Sequence, residues 1–190
     1  MTRTLLIIDI QQDYFAGGRH PLVGPEAAAD RASEVLAAWR ERGEPVVHIQ
    51  HVWDAPDAAF FQPGTPGVEI HPSVAPREGE TVLTKALPNA FIGTGLEGVL
   101  REHDAASAAE AAPQQLVVMG MMSSMCVDAT VRAAADLGFQ VTVVHDACAA
   151  PDLTFDGVTV PAAQVHAAFM AALGDSYAEL ASAEQILTRH

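Results

Sequence analysis

The feature of this sequence that most constrains its fold is a regular alternation of short apolar runs with alanine-rich stretches. The apolar runs are rich in β-branched residues and are predicted as strands at Thr4–Ile8, Pro45–Val52, Thr81–Thr84, Gln115–Gly120 and Gln140–Val144, with a weaker last strand near Tyr177–Leu180. Several runs are apolar at nearly every position, which is typical of parallel strands covered by helices on both faces. The alternation predicts an α/β fold with a parallel sheet.

Four stretches between these runs are predicted as helices, at Pro25–Arg42, Gly93–His103, Ser123–Leu137 and Pro161–Leu173. The first is amphipathic and is followed by Gly43, where a C-terminal capping glycine belongs. Ser123 suits the N-cap of the third helix. The chain of 190 residues fits one domain, which we expect to span residues 1–190, because no repeat, charge run or linker divides it.

Two segments break the alternation. Residues Trp53 to Gly79 are rich in Pro and Gly, and a long loop of this kind in a compact domain predicts a lid or a pocket wall. Residues Asp104–Gln114 form an alanine-rich insert that either extends the preceding helix or forms a surface loop. We assign no chemistry to this insert.

Charge and composition exclude several classes of function. The formal net charge is −14, from 24 acidic and 10 basic residues, and no Lys/Arg cluster offsets it, so neither nucleic acid nor an anionic membrane is an expected partner. No stretch approaches the roughly 18–20 apolar residues that cross a bilayer, and the run Leu5 to Ile8 is too short for a signal peptide. Two cysteines, Cys126 and Cys148, are too few for a disulfide framework, and free thiols are a simpler interpretation than a single bridge. We therefore expect a cytoplasmic protein with a small-molecule ligand.

Three residues with catalytic side chains stand where predicted strands give way to loops or helices. Asp9 follows the first strand, Lys85 follows the third, and Cys126 lies near the start of the helix after the fourth. The carboxyl ends of parallel strands form ligand crevices, and a helix N-terminus favours a thiolate. Each residue also has a structural interpretation: an internal ion pair for Asp9, a solvated strand end for Lys85, and a small buried hydrophobe for Cys126. The coincidence of three such strand ends favours a catalytic site.

The motifs around these residues resemble the successive signatures of the isochorismatase-like cysteine hydrolases, a family that includes nicotinamidase. They are LLIIDIQQDYF, TKALPNAF, and GMMSSMCVDATVRAAADLGF with VHDAC, in matching order over nearly the whole chain. Two further stretches, FFQPGTPGVEIHP and TVPAAQVHAAF, are most similar to unassigned cysteine hydrolases and to streptothricin-hydrolase-like members.

The resemblance implies a three-layer, six-stranded, mainly parallel open sheet with helices on both faces. It implies that Asp9 is the base, Cys126 the nucleophile and Lys85 the third member of a catalytic triad. It also implies a cis peptide bond between Met121 and Met122, with the backbone N–H groups of Met122 and Cys126 as an oxyanion hole. Family members generally self-associate, so a homo-oligomer is expected.

The sequence departs from the metal-binding members of the family. Some of them, including nicotinamidases, hold a metal through an Asp-x-His pair after the second strand. Here His51 occupies the Asp position and Trp53 the His position. His48, His51 and His71 supply ligand-type side chains, but alternation places His48 and His51 on opposite faces of a strand. We expect neither a metal nor any other cofactor.

Retention of the cysteine points to acyl transfer on a small amide or related C–N bond through a thioester. Ether, carbamoyl or ester hydrolysis, a metal-assisted nicotinamidase reaction, and a catalytically silent binding or assembly subunit stay open as alternatives. The candidate substrate-binding residues are Phe15, His51, Trp53, Phe60, Asn89 and Phe91, with Met122 beside them. For the Phe and Met side chains, ordinary core packing is the competing interpretation.

Overall fold

A six-stranded sheet lies at the centre of the molecule. The computed structural model describes residues 3–105 and 114–189. The strands in chain order are β1 (Arg3–Ile8), β2 (Val46–His51), β3 (Thr81–Lys85), β4 (Gln115–Met121), β5 (Gln140–Ala149), β6 (Leu153–Phe155), β7 (Val158–Val160) and β8 (Glu179–Ala181). The sheet order is β3-β2-β1-β4-β5-β8, and every neighbouring pair is parallel. This confirms the predicted six-stranded parallel α/β fold.

Helices cover both faces of the sheet. They are α1 (Pro25–Arg42), α2 (Leu96–Ala105), α3 (Asp128–Asp136), α4 (Ala162–Ser176) and α5 (Ala183–Thr188). Alternate residues of β1 divide between the two apolar cores, because successive strand side chains point to opposite faces. Leu5 and Ile7 pack in the core that α1 and α5 cover, whereas Leu6 and Ile8 pack in the core on the side of α2, α3 and α4.

The predicted helices and strands differ from the structure mainly at their ends. Helix α2 begins at Leu96 rather than Gly93, because the Thr94 hydroxyl accepts the Leu96 N–H at the start of the helix. Ser123 is not an N-cap. It begins a turn of π-helix, Ser123–Val127, that leads into α3, and its hydroxyl donates to the Ala149 carbonyl and contacts His166.

The β6–β7 hairpin and α5 are absent from the sequence-based assignment. The hairpin turns at Asp156-Gly157, where both residues have positive φ, which is the Asp-Gly signature of a tight two-residue turn. A sequence scan for that signature finds the turn. Helix α5 is too short for its pattern to stand out, and it is fixed by a capping box at Ser182.

The structure describes all of the loop from Trp53 to Gly79 but only part of the alanine-rich insert. The loop from Trp53 to Gly79 contains two short 3₁₀ turns, Pro66–Val68 and Pro72–Val74, and lies against the carboxyl end of the sheet. The first two residues of the alanine-rich insert end α2, and residues 106–113 lie outside the described part of the chain. Among the described helices, none combines the length and apolarity needed to cross a membrane.

Candidate active site

The carboxyl ends of three strands bring Asp9, Lys85 and Cys126 together. Asp9 directly follows β1, and Cys126 lies in the π-helical turn after β4, the neighbour of β1 in the sheet. The order of the strands reverses between β1 and β4, and ligand crevices in open α/β sheets form at such switch points. Lys85 ends β3, two strands away, and its long side chain spans the intervening β2.

The Lys85 ammonium lies at the centre of this cluster. Its Nζ is 2.7 Å from Asp9 Oδ2 and 3.2 Å from Cys126 Sγ. All three residues are buried. An ammonium group has three donors and no acceptor, so it donates to the sulfur and pairs with the carboxylate. Lys85 is therefore not a solvated strand end, and Asp9 forms an internal ion pair, with the Cys126 thiol as a further neighbour of the same ammonium.

The backbone of Asp9 lies in the left-handed region, with φ of 50°. This conformation is uncommon outside glycine, and non-glycine residues that adopt it cluster at functional sites. Complete burial raises the pKa of Asp9 above its ordinary value, although the Lys85 ammonium opposes the rise. The Oδ1 atom has no hydrogen-bond partner among the described residues. Asp9 therefore retains a free acceptor and is more basic than an ordinary aspartate.

Cys126 is a buried thiol in the first helical turn after β4. Burial raises its pKa well above the ordinary value, and the Asp9 carboxylate adds to that rise. The resting side chain is thus a neutral thiol that needs a base to become a nucleophile. The peptide bond between Met121 and Met122 is cis, as the resemblance implies.

Cys148 provides a natural comparison within the same sheet. It lies on β5 opposite Gly120, donates to the Val144 carbonyl, and contributes to the apolar core. Burial raises its pKa to about 12. Both cysteines are free, which confirms the interpretation as free thiols.

His51 lies closer to Lys85 and Cys126 than the sequence indicates. Its Nδ1 lies 3.0 Å from Lys85 Nζ and 3.9 Å from Cys126 Sγ. Because an ammonium group only donates, Nδ1 is the acceptor and the ring proton resides on Nε2. Burial and the Lys85 charge lower the pKa of His51 to about 4, so the ring is neutral at neutral pH.

The backbone of His51 is held by Gln11. The Gln11 side chain donates to the His51 carbonyl over 2.9 Å and accepts the His51 N–H over 2.8 Å. It also donates to the Val68 carbonyl in the loop from Trp53 to Gly79. This buried amide therefore fixes the end of β2 and the loop at the same point.

Asp9, His51 and Cys126 form a potential metal-ligand set by type and spacing, since one ligand atom of each lies within 4.8 Å of the others. Lys85 Nζ, however, contacts all three side chains, at 2.7 to 3.2 Å. A metal ion at this point would meet a buried ammonium at contact distance, so the donor set does not fit a metal. His48 is bonded to Glu80 at the other end of β2, and His71 stacks on Phe15.

A cavity of about 320 Å³ opens above Cys126. Five of the residues lining it were considered in the sequence-based prediction, namely His51, Trp53, Phe60, Met122 and Cys126. Five others were not: Tyr14, Ala86, Leu87, Pro88 and Met125. Three of these five follow Lys85 directly along the chain, and Met125 directly precedes Cys126. Adjacency to a predicted catalytic residue was the sequence signal that could have found these four.

The structure places three predicted wall residues away from this lining. Phe15 stacks on His71 with ring centroids 3.8 Å apart and is buried in the core beneath α1. The Asn89 side chain accepts the Phe91 N–H and so closes a local turn. Phe91 stacks on Phe139, with ring centroids 6.0 Å apart.

The aromatic wall of the cavity is anchored by Asp13. The buried carboxylate accepts the Phe61 N–H over 2.6 Å and the Arg19 N–H over 3.0 Å. Phe61 has a φ of 57°, an unfavourable conformation for a bulky residue, and this hydrogen bond helps to hold it. Phe60, the preceding residue, packs its ring edge-on against Trp53 at 5.5 Å.

Known proteins are similar to this chain in sequence. The isochorismatase domain profile matches residues 3–185. The uncharacterized isochorismatase family protein YddQ of Bacillus subtilis is 48% identical over 98% of this chain and 99% of its own length. A streptothricin hydrolase of Streptomyces noursei is 40% identical over 91% of this chain and 60% of its own length.

A solved structure agrees with these matches. An Oleispira antarctica protein assigned to the isochorismatase hydrolases superposes with a TM-score of 0.90 at 49% identity, covering 99% of this chain and 97% of that one. The strand order, the match over nearly the whole sequence and the structural similarity lead to one conclusion. This chain belongs to the isochorismatase family of hydrolases.

Proposed function

We propose that the protein is a metal-independent cysteine hydrolase that cleaves small amides through a thioester on Cys126. The observation that carries the proposal is the buried cluster in which Lys85 Nζ contacts Cys126 Sγ at 3.2 Å and Asp9 Oδ2 at 2.7 Å. A merely structural cysteine has no need of a paired carboxylate and ammonium. Cys148, which packs in the core of the same sheet, has neither contact.

In the acylation half-reaction, the Asp9 carboxylate takes the proton of the Cys126 thiol. The thiolate sulfur then forms a bond to the amide carbonyl carbon, and the carbonyl electron pair moves onto the oxygen. When this tetrahedral intermediate collapses, the C–N bond breaks and the departing nitrogen takes the proton from Asp9. The raised pKa of Asp9 suits a group that both accepts and returns a proton.

In the deacylation half-reaction, Asp9 removes a proton from water while the water oxygen attacks the thioester carbonyl. The C–S bond breaks, Cys126 leaves as a thiolate, and Asp9 returns the proton to it. The products are a carboxylic acid and ammonia or an amine. No redox step or cofactor is required.

Lys85 has two roles in this scheme. Its ammonium neutralises Asp9 in the resting state and stabilises the Cys126 thiolate once the proton has moved. In a desolvated site both interactions are stronger than in water. We propose that the backbone N–H groups of Met122 and Cys126 bind the oxyanion. Met122 directly precedes the first helical turn, and Cys126 lies within it. The N–H groups at the start of a helix generally lack carbonyl partners within that helix.

The test compares wild type with Cys126→Ala and Cys148→Ala on a panel of small amides, lactams and carbamoyl compounds. We expect Cys126→Ala to lose at least about a thousandfold in kcat/KM, because the nucleophile is removed. Cys148→Ala, a matched deletion of a buried thiol, is expected to retain activity. Intact mass spectrometry with a slow substrate is expected to show an acyl adduct on Cys126.

Two further arms test the alternatives. Activity that survives treatment with a chelator supports metal-independent chemistry, whereas activity lost to chelation and restored by added metal contradicts it. Full turnover by Cys126→Ala, or an adduct at another residue, would exclude the thioester scheme. Absence of activity across the whole panel favours the silent binding subunit.

A further inference from the structure

We propose that the cavity above Cys126 selects uncharged amides with an apolar, flat acyl group and discriminates against amides that carry a carboxylate. This inference rests on the proposed amidase function and names the substrate class for the same site. It follows from the side chains that line the cavity and from the way in which the nearby charges are already paired.

The cavity wall offers apolar surface and no cation. Among the described residues that line it, seven are apolar, including Trp53, Phe60, Leu87 and Met125. The three others are Tyr14, His51 and Cys126, and none of the ten is Lys or Arg. A substrate carboxylate would therefore lose its hydration without gaining an ionic partner, which is strongly unfavourable.

The polar groups of the wall do not replace the missing cation. Burial raises the pKa of Tyr14 and lowers that of His51 to about 4, so both side chains are neutral at neutral pH. The nearest ammonium, on Lys85, is paired with Asp9 and also contacts His51 and Cys126. The formal charge of −14 on the whole chain further repels an anionic substrate.

The aromatic rings give the cavity its shape. The Trp53 and Phe60 rings meet at 84° with their centroids 5.5 Å apart, and the centroids of the Tyr14 and Phe60 rings are 5.9 Å apart. The volume of about 320 Å³ is at the lower end of small-molecule sites. A flat aromatic acyl group can pack against such rings.

The first experiment measures kcat/KM for two benzamides that carry different groups at the same ring position, 3-methylbenzamide and 3-carboxybenzamide. We expect a preference of about a hundredfold or more for the methyl compound, because the carboxylate has no partner in the cavity. A kcat/KM for the carboxylated compound equal to or above that of the methyl compound would overturn the inference. The proposed function would still stand if that turnover disappears in Cys126→Ala.

A pair of variants tests whether the missing cation is the cause. Leu87 and Ile92 lie in the loop after Lys85 and are similarly exposed, at 51% and 52%, but only Leu87 is among the cavity lining. Leu87→Lys is expected to reduce the preference for the uncharged substrate by about tenfold, by supplying an ionic partner. Ile92→Lys adds the same charge away from the cavity and is expected to change the preference less than about twofold. Equal effects of the two variants would contradict the assignment.

A binding measurement keeps the inference testable if neither amide is turned over. The corresponding aldehydes, 3-methylbenzaldehyde and 3-carboxybenzaldehyde, add reversibly to a thiolate and can protect Cys126 from iodoacetamide. Protection at a lower concentration of the methyl compound supports the inference. Equal protection, or better protection by the carboxylated aldehyde, overturns it whatever the outcome for turnover.

Discussion

A polar cluster lies at each end of strands β2 and β3, and the two clusters are built from matching residue types. At the amino end, Glu80 meets Arg40 and His48. At the carboxyl end, Asp9 meets Lys85 and His51. Each cluster thus contains one carboxylate, one cation and one histidine of β2. Only the carboxyl-end cluster also contains a nucleophile.

The two carboxylates differ in how completely they are hydrogen-bonded. Glu80 accepts bonds from Arg40 Nε and Nη2, from the Arg77 N–H and from His48, at 2.7 to 3.0 Å. These interactions, with the Arg40 bond the largest, lower the pKa of Glu80 to about 2. Asp9 has one ion-pair partner and an unpartnered oxygen among the described residues, and burial raises its pKa.

This difference is the one expected between a structural ion pair and the proposed catalytic pair of Asp9 and Lys85. A carboxylate with every lone pair engaged is a stable anion and a poor base. A buried carboxylate with a free acceptor has a strong tendency to take up a proton, and it lies beside a thiol that can supply one. The sequence offers both sets of residues at strand ends, so burial together with completeness of hydrogen bonding distinguishes the two carboxylates.

The sharpest test of the comparison removes each negative charge in turn. Asp9→Asn is expected to lower kcat/KM by about 10²- to 10⁴-fold, the range for loss of a general base. Glu80→Gln is expected to retain kcat/KM within about twofold and to lower the free energy of unfolding by about 1–3 kcal/mol, because it loses hydrogen bonds to a charged group. Kinetics and urea denaturation of both variants provide the check. A loss of activity in Glu80→Gln similar to that in Asp9→Asn would abolish the distinction.

Variants of His51 and His48 compare the histidines of the two clusters, with a smaller expected effect on kcat/KM. His51→Leu removes the acceptor for Lys85 and is expected to lower kcat/KM by about tenfold, while His51→Asn, whose side-chain oxygen can accept the same bond, restores part of the activity. His48→Leu is expected to leave kcat/KM unchanged and to destabilise the fold by about 1 kcal/mol.

The pH profile tests the assigned state of His51. Because its pKa is lowered to about 4, the plot of kcat/KM against pH should show no His51 inflection near the ordinary histidine value of 6.5. An inflection near 6.5 that disappears in His51→Asn would contradict a neutral ring.

The smallest expected effect is on the free energy of unfolding in acid. Glu80 and Asp9 contribute to it with opposite dependence on pH. The folded pKa of Glu80, about 2, is below its ordinary value of 4.5, so its contribution is present above pH 4.5 and is lost as the pH falls towards 2. The folded pKa of Asp9 is raised above 3.8, so its contribution is lost as the pH rises through the folded value.

Urea denaturation of wild type, Glu80→Gln and Asp9→Asn between pH 2.5 and about 6 measures these contributions. Glu80→Gln should lose less stability on acidification than wild type, and Asp9→Asn should lose more. The reverse order would show that the assigned shifts have the wrong sign.

Much of the fold and the centre of the site could be predicted from the sequence because they depend on local patterns. The apolar runs specify parallel strands, and the carboxyl ends of parallel strands necessarily lie at one edge of the sheet. Asp9 and Cys126 follow strands and Lys85 ends one, so their convergence could be inferred before any distance was known. Gly120 lies where β4 closely approaches β1, and a Cβ at this position would collide with the Ile8 carbonyl.

The wall of the cavity could not be predicted in the same way. Phe15 and Phe60 are both aromatic residues near the site, yet Phe15 stacks on His71 in the core while Phe60 lines the cavity. Which ring faces the cavity depends on how the loop from Trp53 to Gly79 lies across the sheet. Buried hydrogen bonds made by the Asp13 and Gln11 side chains fix that course. These are contacts between residues 48 and 57 positions apart, which no local pattern specifies.

The sequence by itself therefore determined the sheet, the strand ends and the three candidate catalytic side chains, because backbone periodicity and strand direction are local properties. Only the tertiary structure decided that His51 accepts from Lys85, that Leu87 rather than Ile92 faces the cavity, and that Asp9 and Glu80 have opposite pKa shifts. Burial and hydrogen-bond completeness depend on which distant atoms come within a few ångströms, and folding of the whole chain sets those distances.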